Sequence, residues 1–265
     1  MKRSEEITAH IIAAEADLGN SRFVSAEEEY RLVFYKLEEL VDDDPVTANE
    51  VLGNPQVTQA IRLFQHAYAR CIFEMERDWT LRILEDASAL TSYKKFDQYR
   101  LRVHLEVQML SLFAKRTITS VLVVGCGPLP TTGILLASEF KLRTHCLDVN
   151  DEAIALARKV AQKLNSSIDQ FILSNILDCP SLSDYDAIII AQSVGMSEEE
   201  KKLILLHVLD RIDPGAVIIL RLPYLLEEIL IPKWQIPLLH CKHAKILLTT
   251  QDDIIFRAAL WHGEK

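Results

Sequence analysis

Val121-Leu-Val-Val-Gly125-Cys-Gly127-Pro-Leu-Pro130 is an apolar, β-branched run that ends on two glycines. Four apolar residues without alternation predict a strand buried on both faces, with a tight turn behind it. The glycines let the backbone approach a ligand closely, and a helix starting after Pro130 would aim unpaired amides at an anion. Pro130 replaces the third glycine of the dinucleotide fingerprint, which argues against a pyrophosphate on that turn and leaves a carboxylate as the anion.

Downstream of this strand the pattern repeats. Arg143 to Leu147, Gln170 to Leu173, Ala187 to Ala191 and Ala216 to Leu220 read as further strands, separated by helical patterns at Asp151 to Leu164 and Ser197 to Leu209. Ser197 and Glu200 spell a capping box for the latter. Strand and helix in alternation predict a parallel sheet covered on both faces. Ala244 to Thr249 and Ile254 to Leu260 flank the polar link Thr250-Gln-Asp-Asp253 and predict an antiparallel hairpin. The expected fold class is therefore α/β, a class I methyltransferase-like Rossmann domain. Its seven-stranded, mostly parallel sheet would end in an antiparallel hairpin.

Upstream the texture differs. The first 115 residues hold two glycines, and apolar positions recur at three and four in at least four segments. Ser25-Ala-Glu-Glu28 spells a capping box ahead of a helix with Tyr30, Val33, Phe34, Leu37 and Leu40 on one face, ending near Asp42-Asp-Asp-Pro45. A second helix is predicted over Val57 to Glu85 and a third over Phe96 to Lys115. The expected domains are a helical cap and substrate domain, 1–115, and a ligand-binding Rossmann-like domain, 116–265.

Hydrophobic residues make up 49% of the 265 and charged ones 25%, an ordinary globular composition, and no apolar run reaches the length of a membrane helix. The N-terminus turns acidic at once and has neither a signal-peptide core nor an Arg-rich transit segment, so the expected location is cytoplasmic. A net charge of −9 without a basic patch disfavours nucleic acid. The five cysteines, Cys71, Cys126, Cys146, Cys179 and Cys241, lie 20 or more residues apart and are expected as reduced, mostly buried thiols. The histidines show no metal-ligand spacing, and Trp79, Trp234 and Trp261 are expected in packing.

Candidate binding residues fall at the carboxyl ends of successive strands, where open α/β sheets bind ligands. They are Gly125, Gly127, Pro128, Leu129 and Pro130 on the first turn, and Asp148 and Asn150 after the second strand. Asn175 and Asp178 follow the third, and Ser193 the fourth. Asp148 stands about 20 residues beyond the glycines, where a carboxylate meets a ribose diol, and Asp178 where such folds bond an adenine amino group. Read alone, Asp148 is equally a loop carboxylate capping the next helix. A ribose, an adenine and a carboxylate without pyrophosphate describe S-adenosylmethionine better than a nicotinamide cofactor.

Gly125-Cys-Gly-Pro-Leu-Pro130 followed by Thr131-Thr132 resembles the G-S-G-P-L-P-L-T signature of nicotianamine synthases and of bacterial opine-metallophore synthases of the staphylopine and pseudopaline type. Tyr185-Asp186 with Ser193-Val-Gly-Met196, and Pro214-Gly-Ala-Val-Ile-Ile-Leu-Arg221, are similar to that family's later strands. Cys71-Ile-Phe-Glu74-Met-Glu76 and Tyr99-Arg-Leu-Arg-Val-His-Leu-Glu106 are similar to its C-G-E-A-E and Y-x-K-L-x-x-x-E segments. Departures are Cys126 for the usual serine and Leu222-Pro-Tyr224 where plant members carry S-A-H-G.

The resemblance implies transfer of the aminobutyrate (3-amino-3-carboxypropyl) arm of S-adenosylmethionine to an amine, with 5′-methylthioadenosine released. Tyr99 and the amides of Gly127 and Leu129 would pin the methionine carboxylate, and Glu76 would deprotonate the acceptor. Glu74, two residues away, points to another face of the helix. Without the resemblance Glu76 reads as a surface carboxylate pairing with Arg77 or Lys94, and Tyr99 as a packed phenol.

Histidine is the expected acceptor, in opine metallophore biosynthesis and metal acquisition. The product would pass to an opine dehydrogenase, and a homodimer is the candidate assembly. No resident metal is expected, since the product is the chelator. The alternatives are nicotianamine-type condensation of aminobutyrate units, a small-molecule methyltransferase, and a non-catalytic S-adenosylmethionine-binding protein.

Overall fold

The computed structural model describes residues 2–19, 23–35, 37, 44–114, 116–223, 225–234, 245–251 and 254–262. The chain divides into two compact units. One comprises Met1–Met75, Met196–Glu198 and Pro223–Lys233; the other comprises Glu76–Gly195, Glu199–Leu222 and Trp234–Lys265.

The first unit is helical. It contains α1 (Arg3–Gly19), α2 (Ala26–Glu29), α3 (Pro45–Leu52) and the first two thirds of α4 (Pro55–Glu85). The Ser25 hydroxyl accepts from Glu28 N at 3.2 Å, while the Glu28 carboxylate accepts from Val24 N at 2.8 Å. The predicted box thus closes one residue early. α2 makes a single turn and passes into a π-helical segment, Tyr30–Phe34, instead of the regular helix expected; Tyr30, Val33, Phe34 and Leu37 are nonetheless buried. Phe34 meets Tyr68 edge-on at 5.2 Å, and the wider turn keeps both its aromatic residues inward. Leu40, Asp42 and Asp43 lie outside the described residues. Asp44 caps α3 by accepting from Val46 N and Thr47 N at 3.1 Å, with Pro45 pre-set for the first helical position. Arg70 holds the buried Glu29 at 2.6 Å, and burial raises the Glu29 carboxyl above its ordinary range despite that pairing.

The second unit carries the sheet. Its strands are β1 (Ser120–Val124), β2 (Arg143–Asp148), β3 (Gln170–Leu173), β4 (Ala187–Ile190), β5 (Val217–Arg221), β6 (Lys245–Gln251) and β7 (Ile254–His262). They lie in the order 3-2-1-4-5-7-6, parallel except for β7, which is antiparallel to both β5 and β6. Every predicted strand forms, within two residues of its predicted ends. Alternation inside β1, β4 and β5 sends Val121, Val123, Ala187, Ile189, Val217 and Ile219 to one face and Leu122, Val124, Ile188, Ile190, Ile218 and Leu220 to the other.

The first face packs on α5 (Lys95–Phe113) through Val103, Met109 and Leu110, and on α6 (Thr131–Ser138) through Leu135 and Leu136. α7 (Asp151–Lys163) adds Ile154. The second face packs on Ile204, Leu205 and Val208 of α8 (Glu198–Arg211). Layers on both faces explain why these strands show no polar alternation.

The change from helical to strand texture read near residue 115 corresponds to the end of α5 at Phe113 and the start of β1 at Ser120. The compact units divide earlier, at Glu76, so the last third of α4 and all of α5 belong with the sheet. Residues 76–85 and 95–113 cover the sheet's apolar face and its first turn, and that burial outweighs continuity with the preceding helix.

Candidate active site at the first glycine turn

The turn after β1 owes its shape to two left-handed residues, Gly125 at φ 76° and Gly127 at φ 66°. Neither position has room for a side chain. A β-carbon on Gly125 would stand 2.3 Å from Val194 Cγ2, and one on Gly127 would stand 2.7 Å from Glu76 Oε2. The turn is fastened to β2 by Gly125 N to Leu147 O at 2.8 Å and by Gly127 N to Asp148 Oδ2 at 2.9 Å. Its carbonyl at Pro128 accepts from the fully buried Thr80 hydroxyl at 3.1 Å, one helical turn beyond Glu76 on α4.

Glu76 faces this turn. The Tyr99 hydroxyl on α5 donates to Glu76 Oε1 at 3.0 Å. Burial raises the Glu76 carboxyl from 4.5 to about 7; the Tyr99 bond and the charges of Lys95 and Arg221 pull it down, and Asp148 pushes it up. Burial first, and then the Glu76 charge, hold the Tyr99 phenol above its ordinary value, so Tyr99 remains a donor. A carboxylate that titrates near neutrality beside a glycine turn can take a proton from an ammonium group. The reading of Glu76 as a surface partner of Arg77 fails, since Arg77 pairs with Asp78 at 3.4 Å. Glu74 faces elsewhere, as the helical period requires, and its charge acts on Glu29.

Asp148 spends its two oxygens on the backbone, Oδ2 on Gly127 N and Oδ1 on Asn150 N at 3.0 Å. It therefore shapes the loops of both β1 and β2. Asn150 caps α7 by accepting from Ala153 N at 3.0 Å. Asn175 caps the short 3-10 turn Ile176–Asp178 by accepting from Leu177 N at 3.0 Å, and Asp178 and Ser193 are exposed at their strand ends. The structure thus brings Glu76, Tyr99, Gly127 and Asp148 into one cluster, and it places Asn150, Asn175, Asp178 and Ser193 on the neighbouring strand-end loops.

Sequence reasoning missed three buried charges. Arg221, at the end of β5, donates from Nε and Nη2 to the two Glu106 oxygens at 2.7 and 3.0 Å, and from Nη2 to the Thr132 hydroxyl at 2.9 Å. An arginine closing the apolar strand Val217-Ile-Ile-Leu-Arg221 was the available signal; its partner lies 115 residues away and could not be named. Lys201, fully buried on α8, donates to the carbonyls of Gln192 and Val194 at 2.8 Å and lies 4.4 Å above the Trp234 ring. Burial pushes the Lys201 ammonium down to about 7.

Cys71, Cys126 and Cys146 are buried thiols and Cys179 is a half-buried one, each outside any disulfide among the described residues; Cys241 lies outside those residues. A hydrogen bond with Cys146, together with burial, drives the Cys126 thiol far above its ordinary value and keeps it protonated. Among the described residues no cluster of His, Cys, Asp or Glu suits a metal ion, and no helix is long and apolar enough to cross a membrane. Trp79 packs on Tyr93 at 5.2 Å and Trp234 is buried, while the side chain of Trp261 lies outside the described residues.

Comparison with known proteins agrees with this layout. Nicotianamine synthase from Solanum lycopersicum is 32% identical over 132 residues, covering 48% of this chain and 41% of that protein. Nicotianamine synthase 1 from Arabidopsis thaliana is 31% identical over 133 residues, covering 48% and 42%. The matched stretch spans less than half the length of these curated relatives. Among solved structures, MtNAS in complex with MTA and tNA superposes with a TM-score of 0.79 at 17% identity, covering 98% of both chains. A glutamate-to-glutamine mutant of MtNAS in complex with S-adenosylmethionine gives 0.78 at 18%, covering 97% of this chain and 98% of that one. At such identity the likeness speaks for the fold. The sequence model of the nicotianamine synthase protein family matches residues 3–247, and the chain belongs to that family.

Proposed function

We propose that this protein transfers the aminobutyrate group of S-adenosylmethionine to an amine, with histidine as acceptor and 5′-methylthioadenosine as leaving product. The observation that carries the reading is the Glu76–Tyr99 pair against the glycine turn, a half-buried carboxyl whose titration desolvation raises to about 7. S-adenosylmethionine suits the residues present. It brings a sulfonium and an ammonium to a cluster in which the carboxylates of Glu76, Asp148 and Glu106 outnumber the Arg221 guanidinium. The glycine turn provides a side-chain-free approach.

The sulfonium activates each of its three attached carbons, so the protein selects the γ-methylene by position. The resemblance assigns Tyr99 and the amides of Gly127 and Leu129 to the methionine carboxylate, an arrangement in which the Tyr99 hydroxyl and Gly127 N turn to it from Glu76 and Asp148. Glu76 takes the proton from the acceptor ammonium, and its raised affinity for a proton narrows the gap between the two groups. The freed nitrogen pair forms the C–N bond as the C–S bond breaks, and the sulfonium leaves as a neutral thioether. Asp148 serves the ribose and Asp178 the adenine. In this scheme residues 1–115 act as the helical cap and substrate domain, the product is consumed by an opine dehydrogenase in metal acquisition, and the working assembly is a homodimer.

Incubation with S-adenosylmethionine and histidine, read by mass spectrometry, tests the proposal. Methylthioadenosine and a histidine heavier by one aminobutyrate unit are expected. S-adenosylhomocysteine with a methylated acceptor would overturn it. The family match favours a second reading, condensation of aminobutyrate units with one another, which would form product from S-adenosylmethionine with no added amine.

A further inference from the structure

Resting on the reading of Glu76 as the base, we propose that Glu106 and Arg221 are the positioning pair of this site: they lock Tyr99 against Glu76 and hold a fixed positive charge beside the base without letting it form an ion pair with the base. The geometry carries the first half. Tyr99 and Glu106 are seven residues apart on α5, two turns along one face. Glu106 is fully buried, and both its oxygens are taken by the Arg221 fork at 2.7 and 3.0 Å. Two parallel bonds fix orientation as well as distance, so α5 cannot roll on the end of β5. The third bond, to Thr132 in the first turn of α6, ties the same guanidinium to the helix that follows the glycine turn. One arginine thus references the helix bearing Tyr99 and the turn bearing Gly127 to a single point on the sheet.

The second half follows from what a buried ion pair costs. Removing two charges from water consumes most of their mutual attraction, and a well-packed apolar pair would hold the elements together at least as well. Cohesion alone therefore does not account for Glu106 and Arg221. A base in a desolvated place needs a cation nearby to be ionised at neutral pH, but a directly bonded guanidinium would depress the carboxyl until it no longer accepted a proton. Glu106 resolves the conflict by occupying the Nε–Nη2 edge. The groups facing Glu76 are Tyr99 and Lys95 from α5, Asp148 from β2 and Arg221 from β5; Tyr99, Lys95 and Arg221 lower its titration and Asp148 raises it, against the larger effect of burial. Arg221 is felt by Glu76 as charge, while Nε and Nη2 donate to Glu106 and Nη2 also to Thr132.

The test pairs two variants with two readouts. Glu106→Leu/Arg221→Met replaces the pair with apolar side chains, and Arg221→Lys keeps the charge but loses the fork. The titration of Glu76 is followed by infrared difference spectroscopy on the carboxyl band, with Glu76→Gln as the subtraction standard, and turnover is followed by methylthioadenosine release against pH. In the double variant the Glu76 midpoint and the ascending limb of the rate profile should both move up, and turnover should fall about 10-fold. In Arg221→Lys the midpoint should stay near the wild-type value while turnover falls about 10-fold, the signature of lost positioning. A folded double variant with unchanged midpoint and turnover, or an Arg221→Lys enzyme of wild-type turnover, would overturn the proposal. Should the double variant not fold, Arg221→Lys decides. If the wild-type protein releases no methylthioadenosine, the proposed reaction fails, and the infrared titration still judges the pair.

Discussion

Gly127 approaches Glu76 so closely that a β-carbon at that position would stand 2.7 Å from Oε2, and its φ of 66° lies where only glycine is unstrained. The glycine turn and the carboxylate therefore share one space, and neither can be altered without the other responding.

Gly127→Ala is expected to cost about 1–2 kcal/mol of stability through the left-handed backbone alone. Displacement of Glu76 should lower turnover on the order of 10²-fold. Gly215→Ala is the control, since Gly215 also has positive φ, at 92°, but a β-carbon there meets nothing within 4 Å. It should lose stability and keep its rate. Chemical denaturation and methylthioadenosine release measure the two effects, and equal rate losses in both variants would contradict the shared-space argument.

Glu76→Gln should still bind S-adenosylmethionine and lose on the order of 10²- to 10⁴-fold in turnover, the range for removal of a general base. Raising the pH should restore part of the rate, because more of the amine then arrives deprotonated. Glu74→Gln, which faces Glu29, should do much less. Steady-state kinetics from pH 6 to 9 check all three statements.

The same group sets a pH dependence of stability. Its folded titration near 7 lies above the ordinary 4.5, so between those values the folded protein holds a proton that the unfolded chain has released. Stability from this group is complete below pH 4.5 and is lost as pH rises through 7. At about 1.4 kcal/mol per pH unit the loss amounts to about 3 kcal/mol. Glu76→Gln removes it, so the variant should gain on the wild type by about that amount between pH 5 and pH 8. Parallel urea denaturation of both proteins at the two pH values would reveal it; a constant difference would show that Glu76 is not desolvated in the folded state.

Asp148→Ala removes an acceptor that organises two loops, leaving Gly127 N and Asn150 N without their carboxylate. S-adenosylmethionine binding should weaken by about 1–3 kcal/mol in a protein that remains folded. Calorimetric titration reads the change, and an unaltered dissociation constant would remove Asp148 from the site.

The sheet and its direction were legible from local sequence alone. Short unalternating, β-branched runs such as Val121 to Val124 and Ala187 to Ile190, bounded by turn residues, read as strands covered on both faces, and helical patterns between them fit parallel crossovers. The glycines at 125 and 127, the aspartate at 148 and the family-like strings around Glu76 and Tyr99 were equally legible, because each is encoded within a few residues. Long-range partnership was not. Glu106 and Arg221 lie 115 residues apart, and nothing local says that one binds the other. Lys201 reads as an ordinary helical lysine until folding buries it over Trp234 and two carbonyls. The unit boundary at Glu76 falls inside one continuous helix, where neither propensity nor capping changes. The titration of Glu76 likewise belongs to the tertiary structure, because desolvation is a property of everything that surrounds a carboxylate and is absent from its sequence neighbours.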